Sequence, residues 1–474
     1  MTKNFRNPIA RLLSCDFIAT NIAWVIFTFL RYYLTKDSAS MLDVPSPYVY
    51  MAYHNVALGQ FFFPLLMLFL FYLSGYYNTN FQRSGIKELL TTCFSAFIAS
   101  LIIYFIILIN DNLPERHRNY ELIAVMWASV ATCVYIPRLF FSCKLRKNIK
   151  KGKMHINTLI IGKNLSADSI CQTLSSDKSN YGYHIVGQIP FPEEQTDLSS
   201  SRDTLDNIDE ICRTQDIQNI IIVPFNRTNK EILHTISKLF HLNIPLKIAP
   251  EMYDIVTSSV RHINMTDEPF IDIAQSNMPE WQKSVKRFLD IVLSFTALTI
   301  LSPLFLIVAT LIKADSKGPV FYKQERMGKS GIPFMIFKFR TMKIDAEQPG
   351  VPQLTSSCDP RITKIGKILR KYRIDETPQF LNVILGNMSI VGPRPERNFF
   401  AQRIIKQAPY YTLTYQIRPG ITSLGMVKFG YAQTIEEMIE RSKYDLIYLE
   451  NMSLFIDLKI ILYTIRTVAT GKGM

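Results

Sequence analysis

Ile291-Val-Leu-Ser-Phe-Thr-Ala-Leu-Thr-Ile-Leu-Ser302-Pro303-Leu-Phe-Leu-Ile-Val-Ala-Thr-Leu-Ile312 is the stretch on which the architecture turns. It is close to the ~20 apolar residues that a helix needs to cross a bilayer. Lys283, Lys286 and Arg287 precede it, and Lys313, Lys317 and Lys323 follow it. Basic flanks favour the cytoplasmic side, so positive charge at both ends conflicts with a simple crossing. Pro303 removes a backbone donor and clashes with the preceding turn, which predicts a sharp bend at Ser302-Pro303. Together these features predict a re-entrant membrane helix over residues 285–313, entering and leaving on the same side. The alternative is an ordinary kinked span, which would put everything after Lys313 on the outer face.

Working outward toward the start, four more apolar stretches cover roughly residues 9–33, 56–76, 89–109 and 122–141. Each is near spanning length, and four in series are hard to cover with soluble surface. Asp16 and Pro64 lie inside two of them; Asp16, close to the basic N-terminus, is given no role. Lys3, Arg6 and Arg11 precede the first stretch, Arg83 and Lys87 separate the second from the third, and a run from Lys144 to Lys153 follows the fourth. The other loops carry Asp37, Asp43, Asp111 and Glu115. Both ends of this four-helix unit are therefore expected in the cytoplasm, in a multi-pass membrane protein. The first stretch has no small-residue cleavage site and reads as a retained anchor.

Between these blocks the character changes. Thr158-Leu-Ile-Ile-Gly162 and Asn219-Ile-Ile-Ile-Val-Pro224 read as buried strands, with helical patterns between and after them. That alternation predicts a parallel, Rossmann-like α/β domain. A dinucleotide site needs a glycine-rich first turn, and Gly162-Lys-Asn-Leu-Ser-Ala167 has a single glycine, so no NAD is expected. The predicted layout is a membrane α-helical N-terminal bundle (1–153), this middle domain (154–277), and an α+β membrane-associated catalytic domain (278–474).

Net charge of +14 fits either nucleic acid or a phosphate-rich surface. The basic residues flank apolar blocks and form no tail, which favours the second; nucleic acid is not an expected partner. Seven cysteines are scattered without short paired spacing, so neither a disulfide framework nor a zinc site is predicted. The last histidine is His262, and Cys358 is the only later cysteine. Chemistry beyond the re-entrant segment must therefore use carboxylates, cations or hydroxyls, with or without a metal ion.

Gly318-Pro-Val-Phe-Tyr-Lys-Gln-Glu-Arg-Met-Gly328 and Pro333-Phe-Met-Ile-Phe-Lys-Phe-Arg340 read as two strands around a glycine turn. Alternation puts Lys338 and Arg340 on one face, as phosphate holders or as a solvated face. Ile374-Asp-Glu-Thr-Pro-Gln-Phe380 then places Asp375 and Glu376 just before a helix, with Thr377 as the expected N-cap and Pro378 at its first position. Acids there are usually dipole partners only. Arg361, Lys364, Lys367, Arg370, Lys371 and Arg373 lead up to the pair, and Gly392-Pro-Arg-Pro395 follows it. So many cations point to bound phosphate. As sequence neighbours the two acids should point differently, which suits two separate roles.

These motifs, together with Lys286-Arg-Phe-Leu-Asp290, Asp359-Pro-Arg-Ile-Thr363, Pro378-Gln379 and Arg418-Pro-Gly-Ile-Thr422, resemble the bacterial sugar transferase family, the polyprenyl-phosphate hexose-1-phosphate transferases. The resemblance covers residues from about 285 onward. The full layout resembles the long members that start exopolysaccharide, capsule or O-antigen synthesis. It implies transfer of a hexose-1-phosphate from a UDP-sugar to undecaprenyl phosphate with release of UMP. By the same resemblance Asp375 is the nucleophile, Glu376 helps hold Mg²⁺, and Arg370 and Arg394 bind phosphate. Lys338, Arg340 and Arg361 are weaker candidates. Membrane lipid, a homodimer and downstream glycosyltransferases are the further partners it raises.

The chain departs from the family pattern at Asn387, where an Asp is usual, and at Met426, where a Gln is usual. Thr377 replaces a Leu, and Tyr372-Arg373 replace Thr-Ser. None removes the proposed nucleophile or the arginines, but the first two weaken any carry-over of sugar preference. Residues 435–468 carry helical apolar spacing with aromatic and basic edges, suiting either headgroup-lying or core helices. Two other readings stay open: a membrane-bound nucleotide-sugar dehydratase, which needs a bound NAD, and a non-catalytic scaffold of polysaccharide assembly, which should have lost the acid pair or the arginines.

Overall fold

The computed structural model describes residues 3–36, 44–78, 85–106, 116–150, 155–162, 165–175, 182–191, 208–224, 227–242, 244–249, 271–272, 278–343, 359–430 and 432–469. The acidic loop residues Asp37, Asp43, Asp111 and Glu115, with Arg83 and Cys358, lie outside them. The chain forms two compact units, one of Met1–Met154 with Pro279–Val285, the other of His155–Met278 with Lys286–Met474.

The first unit is helical: α1 (Lys3–Thr35), the short α2 (Pro47–Ala52), α3 (His54–Leu73), α4 (Gly85–Ile106) and α5 (Arg116–Lys150). Trp24, Phe27, Phe63, Met67, Phe71, Leu122 and Met126 interlock as its core. Its outer face is also apolar, with Ile18, Phe61, Leu90, Phe94 and Phe140 exposed. Helices that are apolar all round suit a lipid solvent. Among the described residues five helices are long and apolar enough to cross a membrane: α1, α3, α4, α5 and a later helix, Glu280–Asp315. Asp16, read from the sequence as an interfacial residue without a role, is instead buried at 1 % exposure and paired with Arg138.

The second unit opens with a five-stranded sheet in the order β2-β1-β3-β4-β5. Its strands are β1 (Ile156–Ile161), β2 (Tyr183–Ile189), β3 (Asn219–Ile222), β4 (Leu246–Ile248) and β5 (Ile271–Asp272). The first four run parallel, and β5 closes the edge antiparallel to β4. Alternation sends Leu159, Ile161, Ile220 and Ile222 to one face, against α7 (Ile208–Thr214) and α8 (Asn229–Leu239). Ile160 and Ile221 go to the other, against α6 (Leu165–Ser175). Gly162 has φ +137°, and a Cβ there would meet Val223 O at 2.8 Å. Strand packing alone demands that glycine. Lys163 and Asn164 of the same turn lie outside the described residues.

After it comes α9 (Glu280–Asp315), a single helix with Pro303 inside. The helix runs on through Ser302-Pro303, where a sharp bend is expected, and the Ser302 hydroxyl donates back to Thr299 O at 2.8 Å. From Lys286 on, the early part of α9 is tied down by Lys286 Nζ to Asp457 Oδ2 (2.7 Å) and by Arg287 Nη1 to Val383 O (2.9 Å). At the far end Val308 and Ile312 pack on Phe339 and Leu369, and Asp315 accepts from Ile365 N. Between these anchors Phe295, Ile300, Leu306 and Ile307 are bare.

The predicted hairpin is present: β6 (Phe321–Met327) pairs antiparallel with β7 (Pro333–Phe339). The rest comprises α10 (Lys364–Lys371), α11 (Gln379–Ile384), β8 (Ser389–Val391), α12 (Asn398–Gln407), β9 (Gly420–Thr422), α13 (Leu424–Lys428), α14 (Ile435–Glu450) and α15 (Leu454–Ala469). Of the two closing helices, α14 buries Met438, Arg441, Asp445 and Tyr448 in the fold. By contrast α15 buries Asp457 and Ile460 but leaves Phe455, Leu458, Leu462 and Ile465 exposed.

Candidate active site

Asp375 and Glu376 sit in a short 3-10 turn, Ile374–Glu376, that leads into α11. Arg373 starts the turn in the left-handed region at φ +53°. Thr377 does not cap α11 as the sequence suggested. Its hydroxyl donates to Ile374 O at 2.7 Å, and Pro378 occupies the cap position without a side-chain bond. With a helix of only six residues behind the pair, the dipole contributes little, and local cations must set the electrostatics.

Asn382 brings those cations in. Its amide oxygen accepts from Phe337 N at 3.0 Å and its amide nitrogen donates to Met335 O at 2.7 Å, stapling α11 to the edge of β7. Lys338, next on that strand, then reaches Glu376 Oε1 at 2.7 Å. Arg394 arrives from the loop after β8, its Nη2 3.1 Å from the same oxygen. That loop is fixed by a backbone crossing. A Cβ on Gly392 would lie 2.4 Å from Arg418 O, and one on Gly420 would lie 2.2 Å from Gly392 N, so only glycines fit at both positions. Arg373 completes the set, with Nη1 3.7 Å from Glu376 Oε2.

The two carboxyls thus live in different surroundings. Glu376 is 4 % exposed and burial disfavours its charge, but Lys338, Arg394 and Arg373 more than offset that. Its carboxyl is held well below the usual range. Asp375 is 8 % exposed, and among the described residues its carboxylate accepts no hydrogen bond and forms no ion pair. Burial, then the neighbouring charge of Glu376, push it up to about 6 against the pull of Lys338, Arg370 and Arg394. Two neighbouring acids driven apart in this way are a common mark of divided labour.

A small cavity adjoins Glu376, lined by Arg326, Ile336, Lys338, Gln379, Arg394, Pro395 and Gly420. Asp375 is not among its walls. Arg370 stands close enough to act on Asp375 and donates through Nε to Thr341 Oγ1 at 2.9 Å. Two candidates are not brought to the pair. Arg340 is buried and donates to Lys317 O (2.8 Å) and Ser316 O (2.7 Å), closing the end of α9. Arg361 forks onto Asp359, with Nε at 2.8 Å from Oδ1, and holds that carboxyl below its usual range. Of the residues not proposed for the site from sequence, Arg373, Arg326 and Asn382 matter most. Arg373 was visible only as one of the run of cations before the pair, and a buried Asn within an apolar helix face was the signal for Asn382. Met426 touches the site as well: Arg394 Nη1 donates to its sulfur at 3.3 Å. Asn387 is exposed.

Residues 281–471 match the family model described as bacterial sugar transferase. Among curated relatives, a UDP-N-acetylgalactosamine-undecaprenyl-phosphate N-acetylgalactosaminephosphotransferase of Aeromonas hydrophila is 42 % identical over 189 residues, 40 % of this chain and 44 % of that protein. A UDP-glucose:undecaprenyl-phosphate glucose-1-phosphate transferase of Escherichia coli K12 is 30 % identical over 286 residues, 60 % of this chain and 61 % of the relative. An exopolysaccharide production protein of Rhizobium leguminosarum is 41 % identical over 196 residues, 40 % of this chain and 98 % of its own length. Apart from that shorter protein, the chain spans about half the length of the first curated relatives it matches, between 44 % and 61 %.

Proposed function

Because this chain belongs to the bacterial sugar transferase family, we propose that it transfers a sugar-1-phosphate from a UDP-sugar to undecaprenyl phosphate, the first step of an exopolysaccharide, capsule or O-antigen. One observation carries the assignment of roles. Of two adjacent buried acids, Glu376 is held by three cations while Asp375 has no bonded partner among the described residues. A carboxylate with free lone pairs in a phosphate-binding setting is a nucleophile in waiting.

In the first step an Asp375 carboxylate oxygen attacks the sugar-side phosphorus, and the bond from that phosphorus to the bridging oxygen breaks. UMP leaves with the electron pair, and the phosphosugar stays on Asp375 as an acyl phosphate. In the second step an oxygen of undecaprenyl phosphate attacks the same phosphorus, the bond to Asp375 breaks, and the carboxylate returns. No general base is needed, because a group titrating at about 6 is mostly ionised at neutral pH. Lys338, Arg394 and Arg326 converge on one cavity and would bind the diphosphate, with Arg370 beside Asp375.

The donor set suits the expected magnesium ion. Mg²⁺ is usually bound through one or two carboxylates together with substrate phosphates, and the described residues hold no cluster of three or more His, Cys, Asp or Glu that would bind a metal unaided. Asp375 and Glu376 would hold it, Glu376 while keeping Lys338 and Arg394, and the ion would neutralise diphosphate charge.

The re-entrant reading of α9 is supported by its anchors, since Arg287 and, further on, Val308, Ile312 and Asp315 dock on the same fold while Phe295, Ile300, Leu306 and Ile307 between them are apolar and bare. With the basic flanks, that supports a reading in which the catalytic and middle domains lie on the cytoplasmic face of the inner membrane. The presence of the acid pair and the arginines speaks against a non-catalytic scaffold. The test is to incubate membranes carrying the protein with a panel of UDP-sugars and to identify nucleotide and lipid product by mass. UMP release that vanishes in Asp375→Ala supports the proposal. UDP release refutes the reaction class, and undiminished UMP release from the variant refutes the covalent role. The relatives named for glucose and for N-acetylgalactosamine set the first donors to try.

A further inference from the structure

We infer that Asp445 is a positioning residue that sets Arg394 against the acid pair, an inference that rests on the donor-binding role proposed above for Arg394. Asp445 lies on α14, is 4 % exposed, and is absent from the walls of the cavity. Its two oxygens reach two different segments. Oδ1 accepts from Gly425 N at 2.9 Å, and Oδ2 accepts from Arg394 N through a longer bond of 3.4 Å. The first segment carries Met426, whose sulfur meets Arg394 Nη1; the second carries Arg394 itself.

One buried carboxylate therefore fixes both the root of the arginine and the shelf on which its guanidinium rests. The approach is tight, because a Cβ on Gly425 would fall 2.9 Å from Asp445 Oδ1 and 2.8 Å from Arg441 O. On the other side of the loop, Arg326 Nη1 donates to Pro395 O at 3.2 Å. Glu396 is gripped by Arg441 at 2.5 Å and faces Arg326 Nη1 at 3.6 Å. The 2.9 Å bond to Gly425 N is of the stronger, charge-assisted class, and the 3.4 Å approach to Arg394 N is a weaker contact. Burying an acid is costly unless its oxygens are bonded, and here each oxygen meets a backbone N–H. Holding Arg394 over Glu376 is a task its contacts fit.

The test is a double-mutant cycle of Asp445→Asn and Arg394→Ala in the full-length, membrane-extracted protein. It reads KM and kcat for UMP release, with calorimetric binding of UDP on the same four proteins. Asn keeps the volume and one acceptor but sets an amide N–H against the second backbone N–H. Asp445→Asn is expected to raise KM and the UDP dissociation constant by on the order of tenfold, the scale of a small misplacement of a binding group. In the Arg394→Ala background the same change should add less than about twofold, since residues acting through one another are not additive. Multiplying penalties would overturn the inference, because Asp445 would then support the fold independently of Arg394. If Asp445→Asn does not accumulate, Asp445→Glu, which keeps the charge but shifts the loop, replaces it in the cycle with the same criterion. A wild type that binds UDP but releases no UMP would refute the proposed reaction, and the binding cycle alone would then decide the role of Asp445.

Discussion

Two parts of this molecule bury carboxylates, and they treat them in opposite ways. In the helical N-terminal unit, Asp16 accepts from Arg138 Nε at 2.9 Å and Nη2 at 2.7 Å, and from the Tyr77 hydroxyl at 2.8 Å. Arg138 gives its remaining Nη1 to Thr92 at 2.8 Å and lies between the rings of Phe71 and Tyr76, at 3.9 and 3.6 Å. All the bonding capacity there is spent on a neighbour. In the catalytic fold Glu376 is likewise engaged by three cations, but Asp375 beside it has no bonded partner among the described residues. A satisfied buried pair holds helices in register; an acid among cations with no protein partner of its own is poised to bond with a substrate.

The sharpest way to break that contrast is to remove one acid from each place. Asp375→Ala should lower UMP release by three orders of magnitude or more, as expected when a covalent nucleophile is deleted. Thermal unfolding, followed in detergent, should be no worse than wild type. Asp16→Ala should do the reverse, leaving Arg138 charged and without its carboxylate partner in an apolar bundle. Losing one partner of such a pair costs about 3–5 kcal/mol, so the variant should accumulate poorly or unfold well below wild type. Whatever folded fraction remains should keep its KM for donor. An Asp16→Ala protein with unchanged stability would mean that the bundle tolerates the orphaned cation and that the pair is not structural.

A smaller effect concerns the pH dependence of Asp375. Its folded value of about 6 lies above the ordinary 3.8. Folding therefore favours its protonated form, and the stability this lends is complete below pH 4. It is lost as pH rises through about 6. Asp375→Asn mimics the protonated acid and loses nothing over that range. Its unfolding midpoint should match wild type near pH 4 and exceed it at pH 8, by a gap on the order of 2–3 kcal/mol. Activity of the wild type should run the opposite way, falling as pH drops below about 6 and the nucleophile takes up a proton. A stability gap that is constant with pH would show that Asp375 is not the buried, titrating group.

The contrast also explains what could be read in advance. The hairpin around Gly328 and the acid pair were legible because alternation and short-range cation density are local signals. The partnership of Asp16 with Arg138 was not, since the residues lie 122 positions apart and nothing in either helix marks the other. Lys338 and Arg340 share a strand face in the sequence, yet one meets Glu376 while the other closes the end of α9. Period-two patterning assigns a side, but not which neighbour waits there. Thr377 looked like a cap, but a 3-10 turn intervened and took its hydroxyl. Four apolar blocks were legible as helices, but their bounds were not: residues 122–141 fall short of α5 at both ends, while residues 56–76 run past the end of α3.

The smallest test stays within the bundle and asks how far satisfaction there depends on charge. Glu88 is 3 % exposed and accepts from the Ser142 hydroxyl at 2.8 Å at both oxygens and from Tyr76 OH at 3.3 Å. Hydroxyl donors can serve a neutral amide oxygen nearly as well, so Glu88→Gln should cost about 1 kcal/mol or less, the net worth of a typical hydrogen bond. Glu88→Leu should cost more, because it leaves the Ser142 and Tyr76 hydroxyls without that acceptor. If Gln is as damaging as Leu, the charge of Glu88 must be balancing Arg138 through the ring of Tyr76. The bundle would then hold one linked network of charge, with Asp16 and Glu88 sharing a single arginine. In that case Asp16→Asn and Glu88→Gln together should cost less than the sum of the two measured singly.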